Sequence, residues 1–306
     1  MELAHQLIWF LFVPSALLGV ISNWLVVIAT CQSRSLSPSF SLLTVNQAFL
    51  NGFHSSVCLF YITPTFALDS EFLIANSGYC GFVLMLSADA SIHAHFLVTI
   101  NRFFAVFFPF SYKTFFISKW TKLVILLSFL LSLVVITYFY QILPCRLNYS
   151  PEYMAMNFTG PSICSSFLSS FNLKMIAIAL FDVITDMITV WKVRKMKKQL
   201  RQGQVNVAAC QKKEIDCLRQ SFAQSLFGFL FPIIGNLPVF LIRSSIGFIC
   251  AAIVWCLLHA MDGVFALCFN SEIRKALKPR NQSSPVAIHL LAMTTDRRTM
   301  MNHSGT

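Results

Sequence analysis

Charge is what this chain is short of. Only 11% of its 306 residues are Asp, Glu, Lys or Arg, against roughly 25% in soluble domains. So few charges cannot wet a whole molecular surface, so a freely soluble globular protein is excluded and lipid must cover much of the chain. Acid is scarcer than base, with 12 Asp and Glu against 23 Lys and Arg. The ten cysteines form no CxxC pair and keep no ligand spacing to histidine, which supports neither a zinc site nor a dense disulfide scaffold. Most of them fall inside apolar runs, where a thiol behaves as a small hydrophobe. With seven histidines and one near pair, His93 and His95, the histidine boxes of a di-metal membrane enzyme are absent. No metal, cofactor or catalytic group is read from the chain, and no internal repeat of the secondary-transporter kind is visible.

What the chain has instead is apolar length, since 56% of its residues are hydrophobic. Crossing about 30 Å of hydrocarbon takes roughly 20 such residues in a helix, because unpaired backbone groups are too costly in lipid. Seven stretches qualify: 7–30, 40–66, 77–107, 121–143, 171–191, 222–242 and 246–267. The sequence therefore predicts an all-α membrane protein, a bundle of seven transmembrane helices. Only Arg243, Ser244 and Ser245 separate the last two spans, which must form a tight hairpin. The first span is too long for a signal-peptide core and reads as an uncleaved helix.

The net charge of +11 would suit nucleic acid if the cations shared one folded face. Instead they mark topology. All the Lys and Arg except Arg146, Lys174 and Arg243 fall on one set of segments, those after spans one, three, five and seven or bordering them. The positive-inside rule then places the N-terminus outside and the C-terminus in the cytosol. The sequons at Asn148 and Asn157 lie in the long loop assigned outside and are candidate glycosylation sites. Those at Asn281 and Asn302 fall in the tail and are read as chance matches. The expected organisation is a membrane domain over 1–278, ending in an amphipathic helix at 271–278, and a disordered cytosolic tail over 279–306. The basic run 192–201 extends span five toward anionic lipid or a cytosolic partner.

Polar residues inside the spans need partners. Asn23 in span one and Asn51 in span two are expected to bond across neighbouring helices. Asp182 and Asp186 stand one turn apart in span five, where two charges would repel. With Asp262 of span seven, these acids must face the bundle, pair or stay protonated, although Asp186 is also near enough to Lys192 to snorkel. Asp89 and His93, also one turn apart, form either a ligand anchor or a buried structural pair. Asn270 can cap the short helix that follows span seven.

At the end of span three stands Asn101-Arg102-Phe103-Phe104-Ala105-Val106-Phe107-Phe108-Pro109-Phe110-Ser111-Tyr112. This string resembles the cytosolic end of helix three in G-protein-coupled receptors. In this form it is similar to the nematode serpentine chemoreceptors of class X (Srx). His259-Ala260-Met261-Asp262-Gly263 and the continuation from Phe269 to Lys275 are similar to that family's ending of span seven. The resemblance runs from about residue 10 to Lys278.

It implies a chemosensory receptor of the plasma membrane, placed by the family in a sensory cilium, that answers an external small molecule or peptide by activating a heterotrimeric G protein. It assigns the coupling switch to Asn101, Arg102, Phe103, Pro109 and Tyr112, with Asp262 or Asp186 as possible resting partners of Arg102. It also implies an outer disulfide that includes Cys164, with Cys80 or Cys145 as the other half. Relative to rhodopsin-like receptors, Asn51 replaces an Asp, Asn101 an acid, Gly263 a Pro and Ala266 a Tyr. A bundle sodium site and a tyrosine-based switch are therefore unsupported. Span seven has no lysine, so retinal chemistry is excluded. A small-solute transporter or channel is the alternative in another class.

Overall fold

The structure, a computed structural model, describes residues 2–33, 36–68, 70–202, 208–242 and 245–277. Arg34, Arg243, Lys278 and the expected tail 279–306 lie outside the described residues. The compact unit considered below is Met1–Ala276.

Seven long helical rods correspond to the seven apolar stretches. The first is built of Glu2–Leu7, Ile8–Phe12 and Val13–Gln32, and the second of Pro38–Val57, Cys58–Ile62 and Thr63–Leu68. The third is Ser77–Phe107, and the fourth joins Ser118–Thr137 to Tyr138–Ile142. The fifth, sixth and seventh are Ile163–Gln202, Ala208–Ile242 and Ser245–Phe269. Pro38 opens the second rod, where its missing N–H costs nothing, whereas Pro14 lies inside the first, directly after the segment Ile8–Phe12.

Span three coincides with the stretch read from the sequence, whereas spans five and six overrun theirs. An apolar window measures only the part that lipid must cover. Lys, Arg and Gln propagate a helix well, so the rods continue into polar sequence. Among the described residues, Ile8–Gln32, Ser77–Phe107, Ser118–Ile142 and Ser245–Phe269 are long and apolar enough to cross a membrane by length and composition alone. The second, fifth and sixth rods carry more polar side chains and are recognised by the bundle they complete.

Between spans four and five the chain forms a hairpin, β1 (Arg146–Ser150) antiparallel to β2 (Ala155–Thr159), with Asn148 opposite Asn157. Met154 takes a φ of 48° in its turn. Three ties hold it down. Cys145 is bridged to Cys164, the Tyr149 N–H donates to Ser77 Oγ at 3.0 Å, and the Leu147 N–H donates to Tyr140 Oη at 3.1 Å. Gly81 of span three admits this contact, because any Cβ there would overlap the Leu147 carbonyl. The hairpin defines one end of the bundle, and Arg102 the other.

Spans one, two and seven press together through small residues. A Cβ on Gly263 would sit 2.6 Å from Ser22 Oγ, and one on Gly19 would run into the Ser55 side chain. Gly263, which stands where rhodopsin-like receptors place a proline, thus serves here as a point of close helix approach. A final short helix, Ser271–Leu277, is capped by the Asn270 side chain, which accepts from the N–H groups of Glu272 at 3.1 Å and Ile273 at 3.3 Å.

Candidate functional site

Three wide helical turns, with i→i+5 bonding, occur at the hairpin end: Ile8–Phe12, Cys58–Ile62 and Tyr138–Ile142. Such turns shift side chains out of normal register and recur at functional sites. Here two of them deliver Phe12, Cys58 and Ile62 to the wall of a cavity of about 220 Å³. Met85 of span three, Phe171 of span five and Trp255 of span seven complete its sides, and the hairpin residues Leu147, Met156 and Phe158 roof it. Apolar periodicity did not announce this chamber, although each wide turn is followed two residues later by a proline, Pro14, Pro64 and Pro144, whose missing N–H disturbs the regular ladder.

Asp89 and His93 are not among the residues that line it. Asp89 is fully buried and forms an ion pair with Lys174 of span five, while His93 Nδ1 stands 2.9 Å from Ser132 Oγ of span four. The two side chains approach each other at 3.7 Å. Lys174 was not singled out by the sequence, although a lone lysine in a long apolar stretch is itself a request for an acid. Of the two half-cystine pairings left open, the structure contains Cys145–Cys164 and leaves Cys80 a buried free thiol. Cys145 lies next to β1, so the bridge closes the loop on itself at a Cα separation of 5.4 Å. Asn148 and Asn157 are half-buried, and Asn148 donates to Thr159 Oγ1 at 2.8 Å. Asn157 also lines the cavity.

Midway along the bundle the chemistry changes to a polar hub. Asn51 donates to Asp262 Oδ2 at 2.7 Å, and its own carbonyl accepts from Ser91 Oγ at 2.6 Å and His259 Nδ1 at 2.8 Å. His95 Nε2 lies 2.6 Å from the same Asp262 oxygen, with the Gln47 amide nitrogen 2.9 Å from that ring nitrogen. Asn23 donates to the carbonyls of Gly19 and His259, and Gln224 to the carbonyl of Asp262. From Gln220, which is 3.5 Å from Gln224, the chain of amides passes to Asn270 at 3.0 Å. Asn23, Asn51, Asp262 and Asn270 are thus brought into one region on spans one, two and seven, joined by Gln47, Gln220, Gln224 and His95. Those linking residues could have been found from amides and imidazoles recurring in spans otherwise fit for lipid.

Asp186 belongs to a neighbouring cluster, accepting from Ser221 at 3.0 Å and Ser225 at 2.7 Å of span six. It is fully buried in the bundle, so the snorkelling alternative does not hold. Asp182 is buried one turn away and lines a small cavity of about 50 Å³ together with Ser91, His95 and Asp262. Neither Asp262 nor Asp186 forms an ion pair with Arg102 among the described residues. The Arg102 guanidinium instead lies over the Phe40 ring, 3.3 Å from its centroid, and its buried Nε and Nη2 have no hydrogen-bond partner there. Asp262 Oδ2 is taken by Asn51 and His95 and Asp186 Oδ2 by the span-six serines, while Asp186 Oδ1 is buried without a hydrogen-bond partner.

Asn101 reaches Tyr112 Oη at 3.5 Å, and Ser39 of span two is 2.8 Å from that hydroxyl. Phe103 stacks on Phe107, and Pro109 opens the short helix Pro109–Phe115 that carries Tyr112. The five residues of the string are therefore neighbours at one end of spans two and three. They do not make one hydrogen-bonded unit.

The comparisons with known proteins agree with this architecture. Residues 13–270 match the family described as serpentine type 7TM GPCR chemoreceptor Srx. Serpentine receptor class X 45 of Caenorhabditis elegans is 24% identical over 299 residues, covering 90% of this chain and 81% of that protein. With the family matched across the whole bundle from the first span to the cap of the last short helix, this chain is a member of the Srx family of serpentine chemoreceptors, a multi-pass membrane protein.

Proposed function

We propose that this receptor takes an external ligand into the cavity beneath the hairpin and, at the Arg102 end, activates a heterotrimeric G protein. In this reading the hairpin end faces the outside of the plasma membrane, with the N-terminus, and the Arg102 end faces the cytosol. The sidedness of Lys and Arg supports that orientation. The observation that carries the reading is the construction of span three. Leu84 and Met85 wall the cavity, Ser91 and His95 belong to the polar hub, and Arg102 lies in the last turns of the same helix. One rod of about 27 Å from Leu84 to Arg102, at 1.5 Å per residue, therefore touches all three regions.

A ligand acts only through its different affinity for two helix arrangements. Filling the cavity favours whichever arrangement packs best around it, and spans three and seven transmit the change because the hub ties them through Asp262. At the far end, the Arg102 nitrogens Nε and Nη2 are buried without a partner, and a helix shift that uncovers them would offer donors to acceptor groups of a G-protein subunit. The stacking on Phe40 holds the guanidinium until that partner arrives.

The test is Arg102→Ala in cells carrying a G-protein activation reporter, with surface delivery measured in parallel by an external epitope tag. Loss of ligand-evoked activation at unchanged surface level is expected. Full activation by the mutant would remove Arg102 from the mechanism.

A further inference from the structure

We propose that the cavity beneath the hairpin selects a neutral, ring-bearing molecule of about nine heavy atoms with a single hydrogen-bonding group, and refuses cations and anions of the same size. This rests on the cavity being the ligand site, and it names the chemistry of the ligand.

Size is the first argument. An engineered apolar cavity of about 150 Å³ stays dry and holds benzene. Scaling its six heavy atoms to a volume of about 220 Å³ gives about nine. That excludes all but the smallest peptide fragments.

Charge is the second. Among the described residues the lining contains no Asp, Glu, Lys, Arg or His. The charged pair nearest along spans three and five, Asp89 with Lys174, is a mutual ion pair and stands outside the lining, with the Lys174 ammonium 5.1 Å from the Phe171 ring. An ion entering such a space would lose its hydration and find no counter-charge.

The character of the wall is the third. Cys58, Met85, Met156, Met175 and Cys256 contribute sulfur from five separate elements of the chain. Phe12, Phe66, Phe171, Phe248 and Trp255 contribute rings. Thioethers and ring faces make favourable contacts with an aromatic guest, and unbranched methionines adapt to its outline. Against this, among the described residues Asn157 of β2 and Asn172 of span five are the only amide side chains on the wall. They can serve one carbonyl or hydroxyl, and both accept and donate.

The wall itself supplies the test. Cys58 and Cys256 line the cavity, whereas Cys31 and Cys268 are exposed free thiols elsewhere. The full-length receptor in lipid nanodiscs is treated with methyl methanethiosulfonate, in which a cysteine thiolate takes the methylthio group, forms a mixed disulfide and releases methanesulfinate. Labelling at each cysteine is followed by peptide mass spectrometry alone and with saturating acetophenone, benzoate or 1-phenylethylammonium, which have equal numbers of heavy atoms.

Acetophenone should slow labelling of Cys58 and Cys256 by about ten-fold or more, and each ion by less than about two-fold, as expected for an uncompensated buried charge. Labelling of Cys31 and Cys268 should not change with any of the three. Protection by either ion equal to that by acetophenone would overturn the ligand class while leaving the receptor reading standing. Absence of protection by all three would overturn it too. So would failure of the small neutral reagent to reach either thiol in the empty receptor, because a cavity that admits the ligand must admit a smaller molecule. Failure of the receptor reading itself would show separately, as unchanged coupling in Arg102→Ala.

Discussion

Under the hairpin, the facing walls of the bundle are thiols, thioethers and aromatic rings. About 16 Å further along span three, from Leu84 to His95 at 1.5 Å per residue, they are amides, imidazoles and carboxylates. The first region keeps a cavity of about 220 Å³, the second one of about 50 Å³. Polarity explains the difference. A buried amide or carboxylate without a partner is expensive, so polar walls draw together until donors and acceptors meet. Thioethers and rings lose only dispersion contacts across a gap, a smaller penalty that a guest can restore. A receptor can therefore place its adaptable space where the wall is apolar and its mechanical coupling where the wall is polar.

The comparison is most sharply tested at Asp262, the residue that joins spans two, three and seven. Asp262→Ala leaves the Asn51 amide and His95 without their shared acceptor. Breaking a buried pair by deleting one partner costs about 3–5 kcal/mol. The thermal midpoint of the purified receptor should fall accordingly, while Asp262→Asn, which keeps an acceptor oxygen, should lose much less. Equal losses would mean that shape and not hydrogen bonding holds the hub. At the opposite pole, Met85→Ala removes a buried side chain and enlarges the cavity it borders, at about 2–5 kcal/mol, while leaving the hydrogen bonds of the hub in place.

The roof gives the next largest effect. Cys145→Ser frees the hairpin from the start of span five and opens a link of sequence separation 19. Removing a bridge of this kind costs about 2–4 kcal/mol. Because the bridge holds a surface element, the loss should appear as faster proteolysis between Arg146 and Thr159, with ligand response weakened and the hub intact. Cys80→Ser, by contrast, removes no bridge and should leave hairpin proteolysis unchanged.

Much of this arrangement was legible in the sequence, and the boundary of what was legible is physical. The spans are visible because lipid imposes a minimum apolar length, and span three, Ser77–Phe107, was read to the residue. The hub was visible as Asn23, Asn51, Asp262 and Asn270, because a polar side chain at membrane depth must have a partner. Which partner was not visible, since that depends on the rotation of each helix. Gln47, Gln220 and Gln224 were missed for that reason, as was the pairing of Asp89 with Lys174. The cavity was missed altogether. It depends on the wide turns at Ile8–Phe12 and Cys58–Ile62, each followed two residues later by a proline, Pro14 and Pro64, a signal that a reading of apolar length alone passes over.

A smaller perturbation tests how closely the polar half is drawn together. A Cβ on Gly263 would stand 2.7 Å from the Asn23 backbone nitrogen as well as crowding Ser22. Rigid backbone on that side cannot swing away as a flexible side chain would. Gly263→Ala should therefore separate spans one and seven slightly, at a cost of about 1–3 kcal/mol. Lengthened donor distances from Asn23 to the His259 carbonyl, read as faster amide exchange around Ala260, would accompany it. At Gly228, where no atom beyond the helix's own backbone and its chain neighbours lies within 4 Å of the added carbon, the same substitution should be neutral or stabilising.

The smallest expected effect lies on the outside of the bundle, where both halves meet lipid. Span four has the highest mean hydropathy of the four most apolar spans, 2.5, yet only 17% of its most apolar window is buried inside the protein. Span three, at 1.5, is 56% buried. The order is the reverse of that in a soluble protein, because here the apolar solvent is outside and the most hydrophobic helix faces it. Leu131, 55% exposed on span four, exchanges contact with lipid for contact with lipid when it is truncated. Leu131→Ala should shift stability by less than about 0.5 kcal/mol, measured by thermal unfolding in nanodiscs. Ser132 is its immediate neighbour, is fully buried and stands beside His93. Ser132→Leu should cost considerably more than Leu131→Ala, although it makes the helix more hydrophobic. If the two substitutions ranked the other way, span four would have to be turned with its leucines inward, and the assignment of its lipid face would fail with it.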